Sequence, residues 1–162
     1  MEFVLLLAVI LFFFFRARKR NSDHPQISPE LAQRQSRYLK QMNTSPRLRG
    51  NGSFANQVAG EHAYQESLTI VKQMLVQDYS LDSTFMAVLA AEPTNSVDPN
   101  AVRVLVGDEI VGYLPACQAA VIQTAILQFG GEVIAEARLT ELGEAERIEI
   151  ELDFVIPLEI AK

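Results

Sequence analysis

The sequence predicts a small α+β domain, built as a mostly antiparallel barrel or sandwich of six short strands with two helices, behind an N-terminal transmembrane helix and a linker. Three observations predict this organisation: an unbroken apolar run at residues 3–15, a polar, proline-containing stretch at 21–53, and strand and helix patterns over 54–160. About a hundred of the 162 residues remain for folding, which is enough for one modest hydrophobic core.

The apolar run at 3–15 is expected to belong to a retained membrane anchor over residues 1–20. A cleaved signal peptide carries positive charge before its apolar run and small residues after it. Here Glu2 precedes the run and the basic segment RARKR follows it. A helix of this length spans roughly 20 Å, which is short for a hydrocarbon core of about 30 Å, so local thinning is expected. The basic flank predicts a single-pass protein whose C-terminal domain is cytoplasmic.

Residues 21–53 are expected to be a polar linker with one short helix. Ser28, Pro29 and Glu30 form a typical helix start, with an N-cap, a proline in the first turn and an acid beside it. The apolar positions that follow on one face are Leu31, Tyr38, Leu39 and Met42. A helix over 29–42 could lie on the membrane surface or form a partly helical tether, the latter being favoured. Residues 43–53 are expected to be flexible.

Periodicity and turn residues predict the elements of a domain at 54–160. The strands are predicted at 54–59, 84–91, 101–106, 109–114, 132–140 and 147–154. The helices are predicted at 63–76 and 116–129. The second helix is expected to bury Ala120, Ile122 or Thr124, Ile126 and Phe129.

The last strand shows the strictest alternation of the chain. Its apolar side chains are Ile148, Ile150, Leu152 and Phe154, and its polar ones are Arg147, Glu149, Glu151 and Asp153. Alternation of this kind places the two sets on opposite faces of a sheet. We expect the polar set to be the solvated face of an edge strand and not a catalytic group.

Charge divides the chain into two unlike parts. Residues 1–57 carry a net charge of +6, and residues 58–162 carry −12. The basic part favours an anionic membrane face. The acidic part is poor in the lysine and arginine that supply affinity for phosphate backbones, and it would suit a basic protein partner.

Motifs for catalysis, metals or cofactors are missing from the sequence. It has no P-loop, dinucleotide fingerprint or nucleophile elbow. His24 and His62 stand apart from any cysteine pair, and the acids near residue 98 lack the spacing of a calcium loop. The single Cys117 is expected to be a small buried side chain. We therefore expect a protein that is not an enzyme and has no cofactor or metal site.

Three segments carry a family resemblance: VAGEHAYQ at 58–65, EPTNSVDPNAV at 92–102 and VGYLP at 111–115. In this order they resemble the HIRAN domain, over about residues 56–156. The resemblance implies an OB-like barrel that grips the 3′ end of single-stranded DNA. In the eukaryotic, helicase-linked members of that family, a loop Asn and Asp hold the terminal nucleotide and its sugar hydroxyl, and aromatic rings stack on bases. Asn95, Asp98 and Tyr113 match these positions.

The chain departs from that pattern at three places. Val97 stands where a tyrosine precedes the loop Asp, Ala63 stands where the opening segment has an aromatic residue, and Ala116 replaces a lysine. Tyr64, next to Ala63, could supply the missing ring.

The candidate site residues also have purely structural interpretations. Asn95, Asp98 and Asn100 could bond their own loop backbone, and Tyr113 could be half-buried packing. Two functions remain open: a membrane-tethered module for single-stranded nucleic-acid 3′ ends, or a protein-interaction module on the same fold.

Overall fold

The computed structural model describes residues 29–76, 84–142 and 147–161. The predicted anchor at 3–15 and its basic flank lie outside these ranges. Within them, no helix has the length and apolar character needed to cross a membrane.

The described residues form an α+β unit with the predicted order of elements. The helices are α1 (Pro29–Thr44), α2 (Gln65–Val76) and α3 (Ala116–Gln128), and a short 3-10 turn occupies Glu61–Ala63. The strands are β1 (Asn56–Gln57), β2 (Phe85–Ala91), β3 (Val102–Val106), β4 (Glu109–Tyr113), β5 (Glu132–Leu142) and β6 (Arg147–Asp153). Every strand and helix predicted within the described ranges is found, although β1 is much shorter than predicted.

The six strands make one antiparallel sheet in the order β1-β6-β5-β2-β3-β4. Its two ends meet, because the chain pairs with β6 at β1 and then with β4 two residues later. There the N–H of Ala59 donates to Tyr113 O at 2.7 Å, and the N–H of Tyr113 donates to Ala59 O at 3.0 Å. The curled sheet agrees with the predicted OB-like barrel.

Gly112 allows this closure. Its φ is +148°, and a Cβ at this position would lie 2.7 Å from the carbonyl oxygen of Ala59 and would clash with the side chain of Val58. Only glycine lets the two backbones approach this closely. The glycine of the VGYLP segment is therefore explained by barrel closure.

Alternation along β6 is confirmed on the apolar side and corrected on the polar side. Ile148, Ile150, Leu152 and Phe154 are buried as predicted. Asp153 was expected on the solvated face, but it is buried, and its carboxylate accepts the N–H groups of Asn51 (3.2 Å) and Gly52 (2.8 Å). The prediction of an edge strand was also wrong, because β6 lies between β1 and β5.

Helix α3 packs with a face rotated from the predicted one. Ile122 and Ile126 are buried as expected, but Ala119 and Gln123 join them, while Ala120 and Thr124 are exposed. The prediction of a buried Cys117 was wrong, since its side chain is exposed. Helix α3 has no charged residues to mark its solvent-facing side. Its apolar stripe is therefore weakly defined, and the face that packs on the barrel was not predictable from the sequence.

The described part of the predicted linker belongs to the domain. Helix α1 buries Tyr38, whose hydroxyl accepts the N–H of Met86 at 2.9 Å. Arg34 pairs with Glu109 and Arg37 with Asp108, so α1 is fastened to the β3–β4 hairpin. The predicted helix is confirmed and runs two residues further, to Thr44, but it packs on the barrel and is not a free tether.

Residues 46–49, predicted to be flexible, are also fixed to the barrel. The N–H of Leu48 donates to Ile134 O at 2.7 Å, and the N–H of Ile134 donates to Pro46 O at 2.9 Å. The side chain of Leu48 is buried. The sequence did not reveal this because the contacts depend on strand β5, far along the chain.

Candidate nucleic-acid interface

The loop between β2 and β3 is held in shape by its own polar side chains. Asn95 Oδ1 accepts the N–H groups of Val97 (2.9 Å) and Asp98 (3.2 Å), and Asp98 Oδ1 accepts the N–H of Asn100 at 2.8 Å. These are the Asx-type bonds that short polar residues make in turns. The loop bonds predicted for Asn95 and Asp98 are therefore confirmed, and they hold both side chains in place.

Helix α3 supports the base of this loop through Gln123. Its side-chain Nε2 donates to the carbonyl oxygens of Pro99 (2.8 Å) and Ala101 (3.1 Å), and the residue is only 6% exposed. A buried amide that satisfies two backbone carbonyls fixes the loop against the barrel. Gln123 was not predicted as a functional residue, because it is one of several polar residues on an uncharged helix.

Glu92, at the end of β2, connects the loop to the barrel wall. Its Oε2 accepts a bond from Asn95 Nδ2 at 2.8 Å, and its Oε1 lies 3.3 Å from Arg103 Nη1. The negative charge of Glu92 also acts on the hydroxyl of Tyr113, whose pKa is raised by burial and then by this charge. Two donors, from Asn95 and Arg103, therefore converge on one carboxylate. Glu92 was not among the predicted site residues, although its position three residues before Asn95 could have indicated the contact.

Arg103 and Tyr113 lie directly opposite each other on strands β3 and β4. Directly paired residues share a face of the sheet. Burial, and after it the negative charge of Glu92, raises the pKa of the Tyr113 hydroxyl. The phenol is thus neutral near pH 7 and can donate to the carboxylate. The Nε of Arg103 is buried and has no hydrogen-bond partner among the described residues.

The ring of Tyr64 lies beside that of Tyr113. The two centroids are 6.4 Å apart, the rings are inclined by 51°, and both residues are half-buried. Aromatic pairs favour tilted arrangements over this range of distances. The structure thus brings Tyr64 and Tyr113 together directly, and it joins Asn95 to Tyr113 through Glu92, with Asp98 bonded to Asn95.

The opening motif places Tyr64 by bonding to β6. The buried carboxylate of Glu61 accepts the N–H of Ile150 at 2.7 Å. Gln65 exchanges two bonds with Ile148, donating to its carbonyl oxygen at 2.9 Å and accepting its N–H at 3.1 Å. Burial raises the pKa of Glu61 above its usual value of 4.5. Two residues of the motif are therefore structural, and they hold Tyr64 between them.

Two departures from the family pattern fall on exposed positions. Val97, at the tip of the loop, is 92% exposed, and Ala116 is exposed at the start of α3. Neither offers a ring or a charge to a ligand. Among the described residues, no group of three or more His, Cys, Asp or Glu side chains could hold a metal ion.

A curled antiparallel sheet closed at Ala59 and Tyr113, with a rigid polar loop beside two tyrosines, places the chain in the class of small OB-like barrels. The model of one family, the HIRAN domain, matches residues 56–159. The chain belongs to the HIRAN domain family, as the three motifs indicated. No curated protein and no solved structure gives a significant match.

Proposed function

We propose that the domain is a binding module for single-stranded nucleic-acid 3′ ends, is not an enzyme, and is tethered to a membrane by residues 3–15. The observation that carries the binding proposal is the pairing of Tyr64 and Tyr113, 6.4 Å apart, beside the rigid loop of Asn95 and Asp98. Single-strand binders use aromatic rings in this way as stacking platforms. Membership of the HIRAN family supports the same function.

The loop carboxylate suits a free hydroxyl end. Asp98 accepts one bond at Oδ1 from Asn100, and a carboxylate has about four lone-pair sites in all. A terminal 3′-hydroxyl is a donor that such an acceptor can bind. A terminal phosphate would bring like charge against it.

The charges of the barrel make any such binding weak and only slightly salt-dependent. Arg138 pairs with Glu151 at 2.6 Å, and Arg103 pairs with Glu92 at 3.3 Å. The arginines are thus partly neutralised before a ligand arrives. A ligand held through one or two phosphate contacts has a slope of log K against log salt of only about −1.

The membrane proposal rests on the apolar run at 3–15 and the basic segment RARKR after it. The orientation proposed is N-out and C-in. Helix α1 supports a close attachment, since it begins at Pro29 and is fastened to the β3–β4 hairpin through Arg34 and Arg37. A barrel held in this way would lie near the cytoplasmic surface of the membrane.

The deciding experiment is fluorescence anisotropy of the detergent-solubilised full chain with 5′-labelled oligonucleotides. Three ligands are compared: a free 3′-hydroxyl, a 3′-phosphate and a 3′ end closed into a hairpin. We expect measurable binding at low salt only for the free 3′-hydroxyl. If none of the three binds, the nucleic-acid function fails, and the alternative of a protein-interaction module with a basic partner takes its place.

A further inference from the structure

Resting on the proposed function, we propose that Glu92 is the specificity-determining residue that closes the site to phosphate and so restricts it to an uncharged nucleic-acid end. The groups that would bind a phosphate at this position are already engaged by Glu92. They are the guanidinium of Arg103 and the amide of Asn95, both of which donate to its carboxylate. A carboxylate that accepts from these two donors occupies the place of a ligand anion.

The position of Glu92 makes its charge effective. Its side chain is 24% exposed and that of Arg103 is 34% exposed, so both groups are partly shielded from water. Charge interactions across such a surface are stronger than in bulk water. Glu92 therefore both neutralises Arg103 and repels an incoming anion.

Arg103 without Glu92 would be a phosphate-binding arginine. A guanidinium presents a planar fork of N–H donors that suits phosphate oxygens. Tyr113 lies opposite Arg103 on the neighbouring strand, and Asn95 bonds to the same carboxylate as Arg103. Without that carboxylate, a phosphate could receive bonds from all three residues. The carboxylate is what separates a site for a hydroxyl end from a site for a phosphate end.

The test uses Glu92→Gln in the detergent-solubilised full chain, with Glu132→Gln as the matched control. Glu132 is exposed and lies opposite Ala90, which in turn lies opposite Arg103, so the control removes the same charge two strands away on the same face. Glu92→Gln should bind the 3′-phosphate oligonucleotide roughly tenfold more tightly than the wild type does. Glu132→Gln should leave the ratio of the affinities for the 3′-hydroxyl and 3′-phosphate oligonucleotides unchanged.

A second measurement decides the inference without any nucleic acid. Thermal unfolding is followed by circular dichroism in inorganic phosphate and in sodium chloride of equal ionic strength. A ligand that binds only the folded protein raises the unfolding temperature. Phosphate should raise it for Glu92→Gln and not for the wild type or Glu132→Gln.

The outcomes separate this inference from the proposed function. If the wild type binds no oligonucleotide but Glu92→Gln gains stabilisation by phosphate, the function fails and the role of Glu92 stands. If phosphate affects wild type and Glu92→Gln equally, or affects neither, the role of Glu92 is refuted. Glu92→Asp keeps the negative charge, so phosphate should not raise its unfolding temperature. It therefore distinguishes loss of charge from general damage to the loop.

Discussion

Tyr64 and Tyr113 place their ring centroids 6.4 Å apart across the seam where the sheet closes. Tyr113 is the residue of β4 whose backbone bonds to Ala59, and Tyr64 follows the 3-10 turn that begins two residues after Ala59. The contacts that close the barrel therefore also bring the two rings together. A variant that opens the seam should lose the site as well, whereas a variant that removes a ring should leave the barrel closed.

Removing either ring should weaken oligonucleotide binding without unfolding the domain. Stacking on an aromatic side chain contributes about 1–3 kcal/mol per base, which is roughly 5- to 150-fold in Kd. Tyr64→Ala and Tyr113→Ala should each show a loss in this range by fluorescence anisotropy. Tyr113→Phe is the control, because it keeps the ring and loses only the hydroxyl. Equal affinity in all variants would show that the two rings only pack within the protein and do not stack on bases.

Gly112→Ala should destabilise the barrel strongly. The added methyl would meet the carbonyl oxygen of Ala59 at 2.7 Å and the side chain of Val58, and the backbone has positive φ. Positive φ and overpacking together cost about 2–5 kcal/mol. The free energy of unfolding, measured by urea titration, should fall by this amount.

Gly130→Ala is the matched control for this variant. Gly130 also has positive φ, +99°, but a Cβ there would meet nothing within 4 Å. Its cost should be only that of the backbone conformation, about 1–2 kcal/mol. If the two variants lose the same stability, close packing at the seam is not what requires Gly112.

The strands were predictable because alternation of apolar and polar residues indicates which side chains are buried. In β6, Ile148, Ile150 and Leu152 face the core, and alternate residues of a strand must face opposite sides of a sheet. The same reasoning failed at Asp153. Its burial depends on the backbone N–H groups of Asn51 and Gly52, a hundred residues earlier, and no local pattern encodes such a contact.

The candidate site was predictable only in part, and for the same reason. The motif order indicated Asn95, Asp98 and the two tyrosines, and the structure brings these residues into one region. Glu92 and Gln123 were missed, because a carboxylate and an amide take their roles from donors and carbonyls on other elements. The apolar face of α1 was predicted, but the surface it covers could only be seen in the fold.

Glu61→Gln should stabilise the protein near neutral pH. Burial raises the pKa of Glu61 in the folded state above 4.5, so the folded protein binds its proton more tightly than the unfolded chain does. Stability from this group is then fully present below pH 4.5 and is lost as pH rises through the folded pKa. The variant avoids this loss, and Gln Oε1 can still accept the N–H of Ile150.

The measurement for Glu61 is the free energy of unfolding as a function of pH, for wild type and variant. The free energy of unfolding of Glu61→Gln should exceed that of the wild type by an amount that grows from pH 4.5 upwards and then levels off. Glu66→Gln, on the exposed surface of α2, removes the same charge without the burial. A difference for Glu61→Gln that is flat with pH, or that shrinks as pH rises, would contradict the assignment.

Asp98→Asn should reduce the preference for a free 3′-hydroxyl while keeping the loop folded, and the exclusion of phosphate by Glu92 should remain. The Asn side chain can still accept the N–H of Asn100 through its Oδ1, so the turn survives, but the charged acceptor for the terminal hydroxyl is gone. Asp98→Ala should show the same reduction and also destabilise the loop by about 1 kcal/mol, since it loses the turn bond. Anisotropy with 3′-hydroxyl and 3′-phosphate oligonucleotides measures the preference, and thermal unfolding measures the loop. If Asp98→Asn discriminates between the two ends as the wild type does, Asp98 serves only the turn, and recognition of the end must come from another group.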